Sequence, residues 1–360
     1  MRGVLLYNLS WRFLKMLAIV FFSVTAVAFM IDFFSFANRA GALPGYTFPA
    51  GLTLSALHMP STVATIIPFV VQFASIGLLS KLAQSRELVI YRSSGLSAFQ
   101  FVAPLCVIGL LFGLFSVCVL DPVTARSISL ARAVEDRIGG VGAPASNAVP
   151  LWIAKSSGQE LVVIGARRQR NGGLDLGDVT YLRFKSGQMA ERIDAATASL
   201  VDDRLVFRNA SQMTDERITR EQVDQLSVPS TFSEEAFREQ FGDVREITFF
   251  GLRRAIDNAH EAGHDALPLE IRFYSLMCLP LLLVAMVLIS APISIRFERS
   301  GQSAVMIGST VLSGYAVYAI IVIVASLGSA GILSPVFAAL VPVLIAIGVA
   351  VFWLLSAEDG

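Results

Sequence analysis

Charge is what this chain has least of. Only 16% of its 360 residues are Asp, Glu, Lys or Arg, against about 25% in an average soluble domain. Hydrophobic residues make up 54%, which excludes an ordinary soluble enzyme and points to a membrane protein. Lys and Arg number 28, as do Asp and Glu, so no net field favours nucleic acid. There are three histidines and three cysteines. Cys106 and Cys118 share one apolar run, where twelve helical residues separate them by about 18 Å, beyond disulfide reach. Cys278 lies in another run, so neither a disulfide framework nor a metal-binding spacing is present. No Gly-x-x-x-x-Gly-Lys-Ser/Thr phosphate loop and no Gly-x-Ser-x-Gly elbow occurs. If the chain does uphill work, another chain supplies the energy.

What charge there is falls mostly in one block. Residues 122–268 hold 18 of the 28 Lys and Arg and 21 of the 28 Asp and Glu, dividing the chain into 1–121, 122–268 and 269–360. The outer thirds contain six runs of the roughly 20 apolar residues a membrane span needs: 13–37, 57–80, 99–121, 269–292, 303–326 and 333–356. Pro60, Pro68 and Pro342 lie inside these runs, as membrane helices tolerate where neighbours satisfy the freed backbone groups. The first run follows Arg2, Arg12 and Lys15, as a secretion signal would. Its apolar core from Phe13 to Phe36 is longer than a signal's, and an uncleaved span is expected.

Loops rich in Lys and Arg stay in the cytoplasm. Arg2, Arg12 and Lys15, then Lys81, Arg86 and Arg92, then Arg296 and Arg299 flank one side of the spans. Arg39 is alone near the other side. The polar block is accordingly expected outside the cytoplasm. It opens with a helix from Pro122 to Ile138, displaying Arg126, Arg132 and Arg137 and ending at Gly139 to Pro144. Five alternating stretches come next, at 151–155, 160–164, 178–184, 191–201 and 204–208. Turn residues separate them, which predicts an antiparallel sandwich or roll of roughly 100 residues. A helix from Phe250 to Ala262 leads to the fourth span.

Three places could carry function. His260-Glu261-Ala-Gly-His264 matches a zinc-protease string, but Gly263 ends the helix that the two histidines would have to share. His58 is the one other histidine, so a metal site is not expected. Asp32 is the acid inside a span, with Arg39 one to two turns on. Such residues are either functional or solvated at the membrane edge. Between the second and third spans, residues 81–95 mix Lys81, Arg86, Glu87 and Arg92 with Leu82, Leu88, Val89, Ile90 and Tyr91, ending at Gly95. That pattern predicts a short half-wet helix with a glycine cap. It is either a topological turn or a handle for a cytoplasmic partner.

The run Leu82-Ala-Gln-Ser-Arg-Glu-Leu-Val-Ile-Tyr-Arg-Ser-Ser-Gly-Leu-Ser97, the strand Leu151-Trp-Ile-Ala-Lys155, and Pro280 to Arg299 with Ala-Pro-Ile-Ser-Ile-Arg296 resemble the lipopolysaccharide export permease family. The likeness covers essentially the whole chain and is greater to the G-type than to the F-type subunit. It implies a six-span membrane protein of 3+3 topology with an inserted extracytoplasmic all-β jellyroll-like domain, in the inner membrane of a Gram-negative bacterium. It further implies a non-enzymatic permease subunit of an ABC transporter, with ATP and magnesium held by a dimeric cytoplasmic ATPase. The other implied partners are a second six-span subunit, periplasmic jellyroll proteins that bridge toward the outer membrane, and lipopolysaccharide itself.

By the same resemblance, residues 81–95 form the coupling helix, with Arg86, Glu87, Tyr91 and Arg92 at the ATPase. Arg39, Asp32, Arg126, Arg132 and Arg137 are candidates for the lipid A phosphates. Relatives carry several lysines where this chain has Asp32 and Asn38, so Arg39 alone fits the first-span role. Phe29, Phe33 and Phe36 of the first span and Ser309, Ser313 and Tyr315 of the fifth are candidates for a lateral gate between subunits. Gly308, Ser309, Ser313 and Gly314 also suit ordinary close helix packing. The rival readings are a membrane metalloprotease on His260, Glu261 and His264, and a non-transporting envelope scaffold.

Overall fold

The computed structural model describes residues 2–40, 48–85, 87, 97–139, 151–157, 160–170, 175–185, 188–201, 204–214, 217–230, 244–261, 266–298 and 303–359. Six helical stretches within it are long and apolar enough to cross a membrane. They lie in α1 (Arg2–Ala40), α2 (Phe48–Gln84), α3 (Ala98–Phe115) running on into α4 (Asp121–Gly139), α6 (Leu267–Glu298), α7 (Ser303–Ser329) and α8 (Pro335–Asp359). A shorter amphipathic helix, α5 (Phe249–Glu261), precedes α6.

The apolar runs dictate these helices, because hydrocarbon leaves a backbone only its own hydrogen bonds. Two of them form the centre. In α6 and α2, 72% and 61% of the span window is buried within the chain, against 6% in α1 and 11% in α7. The core joins Phe13 and Leu17 of α1, Val70 and Ala74 of α2, Leu105 of α3, Leu283 and Val287 of α6, and Ala350 of α8. Close approach of α3 to α6 requires Gly113, since a Cβ there would come within 2.5 Å of the Pro280 Cα. Near the start of α1, Tyr7 and Trp11 are exposed, with the Lys15 ammonium 5.4 Å from the Trp11 ring centre, a combination suited to a membrane–water interface.

Between α3 and α4 the helix widens into one π turn, Ser116–Leu120, and the Asp121 N–H donates to the Ser116 carbonyl. An extra residue in the turn rotates the helix beyond it. It carries Asp121 to an inward, buried position.

Among the described residues the inserted domain is one antiparallel sheet of six strands in sequential order. These are β1 (Leu151–Ser157), β2 (Glu160–Arg170), β3 (Asp175–Lys185), β4 (Gln188–Val201), β5 (Arg204–Thr214) and β6 (Arg217–Pro229). β6 adds a strand to the five expected from alternation. Ile164, Ile193, Phe207 and Ala210 are fully buried in a cluster drawn from the sheet alone, so the sheet curls over its own apolar face. The Tyr181 and Phe207 rings, on strands two apart, approach to 5.7 Å between centroids. Neighbouring strands are about 4.8 Å apart, so these rings lean together across β4. The sandwich-or-roll expectation thus resolves as a roll.

A bend line explains the curl. Strand pairing passes over Arg167, Asp178, Ala196, Asn209 and Asp224, which succeed one another across five strands. On that line Asp178 and Asn209 take φ of 50° and 51°, a left-handed conformation Asp and Asn tolerate better than most residues. Among the described strands, β1 and β6 each have one neighbour, leaving two open edges.

Candidate functional site

Three local arrangements carry the chemistry that the membrane bundle offers. The first is at the α2 end of the bundle. There the Arg12 guanidinium donates from Nη1 to Glu87 Oε2 at 2.6 Å, and both side chains are half-exposed. Arg86 and residues 88–96, including Tyr91, Arg92 and the expected Gly95 cap, lie outside the described residues. Ser97 resumes the chain, its Oγ accepting the Gln100 N–H at 3.2 Å to cap α3. A half-exposed carboxylate is able to exchange one cationic partner for another. In the sequence Arg12 stands out only as an orientation charge, and no local signal marks a pair 75 residues apart.

The second arrangement is a buried hub around the π turn. Asp121 Oδ1 accepts from Arg272 Nη2 at 3.0 Å, and its Oδ2 accepts the Phe249 N–H at 2.7 Å. Arg272 Nη1 also donates to the Val244 carbonyl. Four pieces are thereby tied together: the α3–α4 junction, the short 3₁₀ turn Val244–Glu246, the start of α5, and α6. The stacked Phe249 and Phe273 rings, 5.2 Å apart, extend the same contact. The sequence places Asp121 at a span boundary, and its partner 151 residues away is invisible there.

Next to this hub lies a cavity of about 410 Å³. Thr65 and Pro68 of α2 stand on one side, Leu279 of α6 and Ile321 of α7 on another, and Asp121 and Arg272 at the polar end. The Thr124 Oγ1, buried beside it, has no hydrogen-bond partner among the described residues. The third arrangement, at the α2–α7 contact, centres on Gln72, which is fully buried. Its Nε2 donates to the Thr310 carbonyl at 2.7 Å.

Residues singled out from sequence are distributed along this frame. Phe29 and Phe33 stack at 6.4 Å on α1, and Phe33 also meets Phe48 of α2 edge-on. Asp32, one residue before, is half-buried. On α7, the Ser313 hydroxyl donates to the Thr310 carbonyl, Ser309 is half-buried and Tyr315 is exposed. These aromatic and small residues lie on the two least-covered spans. Among the cations, Arg126 is exposed on α4. The backbones of Phe36 and Arg39 continue α1 and those of Arg132 and Arg137 continue α4, while their side chains lie outside the described set.

His260, near the end of α5, places Nε2 3.2 Å from Glu270 Oε1. The α5 helix ends at Glu261, and His264 lies outside the described residues. Among the described residues no group of three His, Cys, Asp or Glu converges on a metal position.

The model of the family described as "Lipopolysaccharide export system permease LptF/LptG" matches residues 9–356, a span that takes in both membrane halves and the whole rolled sheet. No curated protein matches the chain.

Proposed function

The chain belongs to the lipopolysaccharide export system permease LptF/LptG family, and from that premise we propose that it is one transmembrane subunit of an ABC transporter. The transporter extracts lipopolysaccharide from the inner membrane of a Gram-negative cell and passes it to a periplasmic β bridge. The observation that carries this reading is the extent of the family match, residues 9–356. A fragmentary match would have left the β insertion or the gate helices unexplained.

Energy comes from a cytoplasmic ABC ATPase dimer, which holds ATP and magnesium, since this chain has no phosphate loop. The motor pushes on the segment around Glu87. In that contact the carboxylate leaves Arg12 for a motor arginine, a charge-assisted bond with enough direction to transmit force. Arg86, Tyr91 and Arg92 complete the contact. A second six-span subunit faces α1 and α7, the helices with least burial inside the chain. Phe29, Phe33, Phe36, Ser309, Ser313 and Tyr315 line the lateral gate between the two subunits.

Lipid enters through that gate. Each buried CH₂ of an acyl chain contributes about 0.8 kcal/mol, so the acyl chains stay in apolar surroundings throughout. Arg39, Arg126, Arg132 and Arg137 supply the cations for the phosphates, and Asp32 is a further contact candidate at the same lipid. The rolled sheet stands in the periplasm and extends the apolar path, its open edges β1 and β6 suited to strand addition by other rolls. The segments Ser85-Arg-Glu-Leu-Val89 and Ala291-Pro-Ile-Ser-Ile-Arg296 favour the G-type role within the pair.

Affinity purification of the tagged chain from its native membrane tests this reading. It predicts co-purification of an ABC ATPase, a second six-span chain and lipopolysaccharide. Recovery of the chain alone, or with envelope proteins and no ATPase, would support a scaffold instead.

A further inference from the structure

Gln72 sits at the centre of a contact that neither the membrane-span pattern nor the gate residues account for. It is fully buried in α2, where an amide without partners is costly. Its Nε2 reaches across to α7 and donates to the Thr310 carbonyl at 2.7 Å. The same carbonyl also accepts the Ser313 hydroxyl at 2.8 Å, so the Gln72 bond is one of several that converge on Thr310.

The other half of the amide fits a notch. A Cβ on Gly314 would come to 1.9 Å from Gln72 Oε1 and 2.1 Å from Nε2. Glycine at 314 is therefore what lets the amide reach the α7 backbone. Among the described residues Oε1 has no hydrogen-bond partner, so what Gln72 itself brings to the contact there is one bond and one notch. Such a point attachment resists separation and sliding but leaves rotation open.

Farther along the same two helices the relationship changes. Phe69 of α2 and Tyr318 of α7 still touch edge-on at 4.9 Å. Beyond them, Ser61 and Thr65 of α2 and Ile321, Val322 and Ala325 of α7 line the cavity of about 410 Å³ beside the Asp121–Arg272 pair. The helices are pinned at one level and parted by a void at another.

We propose that Gln72, seated against Thr310 and Gly314, is the pivot about which α7 swings relative to α2, the cavity being the space that the swing opens and closes. This deepens the transport reading, because α7 is one of the two gate helices in it. Gln72 is a positioning residue: it fixes where α7 turns and need not touch the lipid.

The test uses the full chain in lipid nanodiscs, with Cys106, Cys118 and Cys278 replaced by serine and spin labels placed in pairs. One pair, at Thr65→Cys and Ser326→Cys, spans the cavity level. The other, at Phe73→Cys and Leu312→Cys, reports the pinned end, one residue from Gln72 on α2 and two from Thr310 and Gly314 on α7. The cavity-level distance distribution should be broad and the pinned-end distribution narrow. Gln72→Met, which keeps length but loses the donor, should raise the displaced population at the pinned end by about threefold, the factor an average membrane-buried hydrogen bond is worth. Gly314→Ala should do the same by filling the notch, which guards against a folding defect peculiar to either variant.

Equal breadth at both levels, or a pinned-end distribution unmoved by both substitutions, overturns the pivot. Lipopolysaccharide export is then measured in cells carrying each variant. Normal export with a loosened pinned end would show that the pivot is not used in transport. Pivot behaviour in a chain that moves no lipopolysaccharide would leave the pivot standing and refute the transport reading.

Discussion

Arg12 and Glu87, 75 residues apart in sequence, meet at 2.6 Å between Nη1 and Oε2 at the α2 end of the bundle. The pair joins the start of the first span to the segment between the second and third. Both side chains keep more than a third of their surface open, so water screens the attraction. Exposed pairs of this kind contribute about 0.2–1 kcal/mol. Arg12→Ala and Glu87→Ala should therefore leave thermal unfolding of the purified chain nearly unchanged. The double reversal, Arg12→Glu with Glu87→Arg, should unfold as the native chain does. A large loss of stability in either single variant would show that the pair has a structural role.

The Asp121–Arg272 pair should behave in the opposite way. Its carboxylate is 7% exposed and its guanidinium 16%, and each is bonded to backbone as well. Breaking a buried pair strands the remaining charge, at a cost of about 3–5 kcal/mol. Asp121→Ala or Arg272→Ala should lower the unfolding temperature sharply. Asp121→Leu combined with Arg272→Met should recover much of the loss, since no charge is then left unpaired. Equal loss in the double variant would mean that the hub depends on the hydrogen bonds to Phe249 and Val244 rather than on charge balance.

Two glycines in the spans give a matched comparison. At Gly113 a Cβ would lie 2.5 Å from the Pro280 Cα, while at Gly308 it would meet nothing within 4 Å among the described residues. Backbone cannot yield as a flexible side chain does, so Gly113→Ala should cost about 1–3 kcal/mol. Gly308→Ala should be neutral or slightly stabilising, as alanine restricts the unfolded chain. Thermal unfolding of both variants in one detergent checks the difference.

The bend line of the sheet predicts a preference at residue 178. Its φ of 50° is strained for a β-branched residue. Asp178→Val should destabilise the β domain by about 1–2 kcal/mol, although valine is the better strand former. Asp178→Gly should be tolerated. Limited proteolysis of the full chain, read as the rate of cleavage within the sheet, measures the effect.

The parts of this fold that are legible in sequence are those written in local periodicity. Runs such as 269–292 reveal a span because the membrane demands about 20 apolar residues whatever their neighbours. The stretches at 160–164 and 204–208 alternate because one side of each strand is buried. β6 escapes that reading because Arg217-Ile-Thr-Arg-Glu-Gln-Val-Asp-Gln-Leu-Ser-Val-Pro229 is an edge strand with polar residues through most of its length. The bend line is hidden for a related reason. Asp178 reads as the first residue of a strand, whereas here it sits within a strand that begins at Asp175.

The sites are less legible than the fold. Glu87 stands out because it is an acid in a short segment of mixed character. Nothing local links it to Arg12, or Asp121 to Arg272, or Gln72 to Thr310. Gln72 in particular is a single amide in an apolar run, and its value depends on Gly314, 242 positions later in the chain. Long-range polar pairs are set by how helices pack, and packing leaves no periodic trace.

The most direct measurement of the central claim is ATP-dependent release of lipopolysaccharide from liposomes holding the purified assembly, compared between native and Glu87→Ala chains. A charge-assisted contact is worth about 1.5–3 kcal/mol. The account predicts release that requires ATP in the native assembly and falls by about tenfold or more in the variant, with the chain still folded. Release at the native rate from the Glu87→Ala assembly, or no ATP-dependent release from the native one, would contradict it.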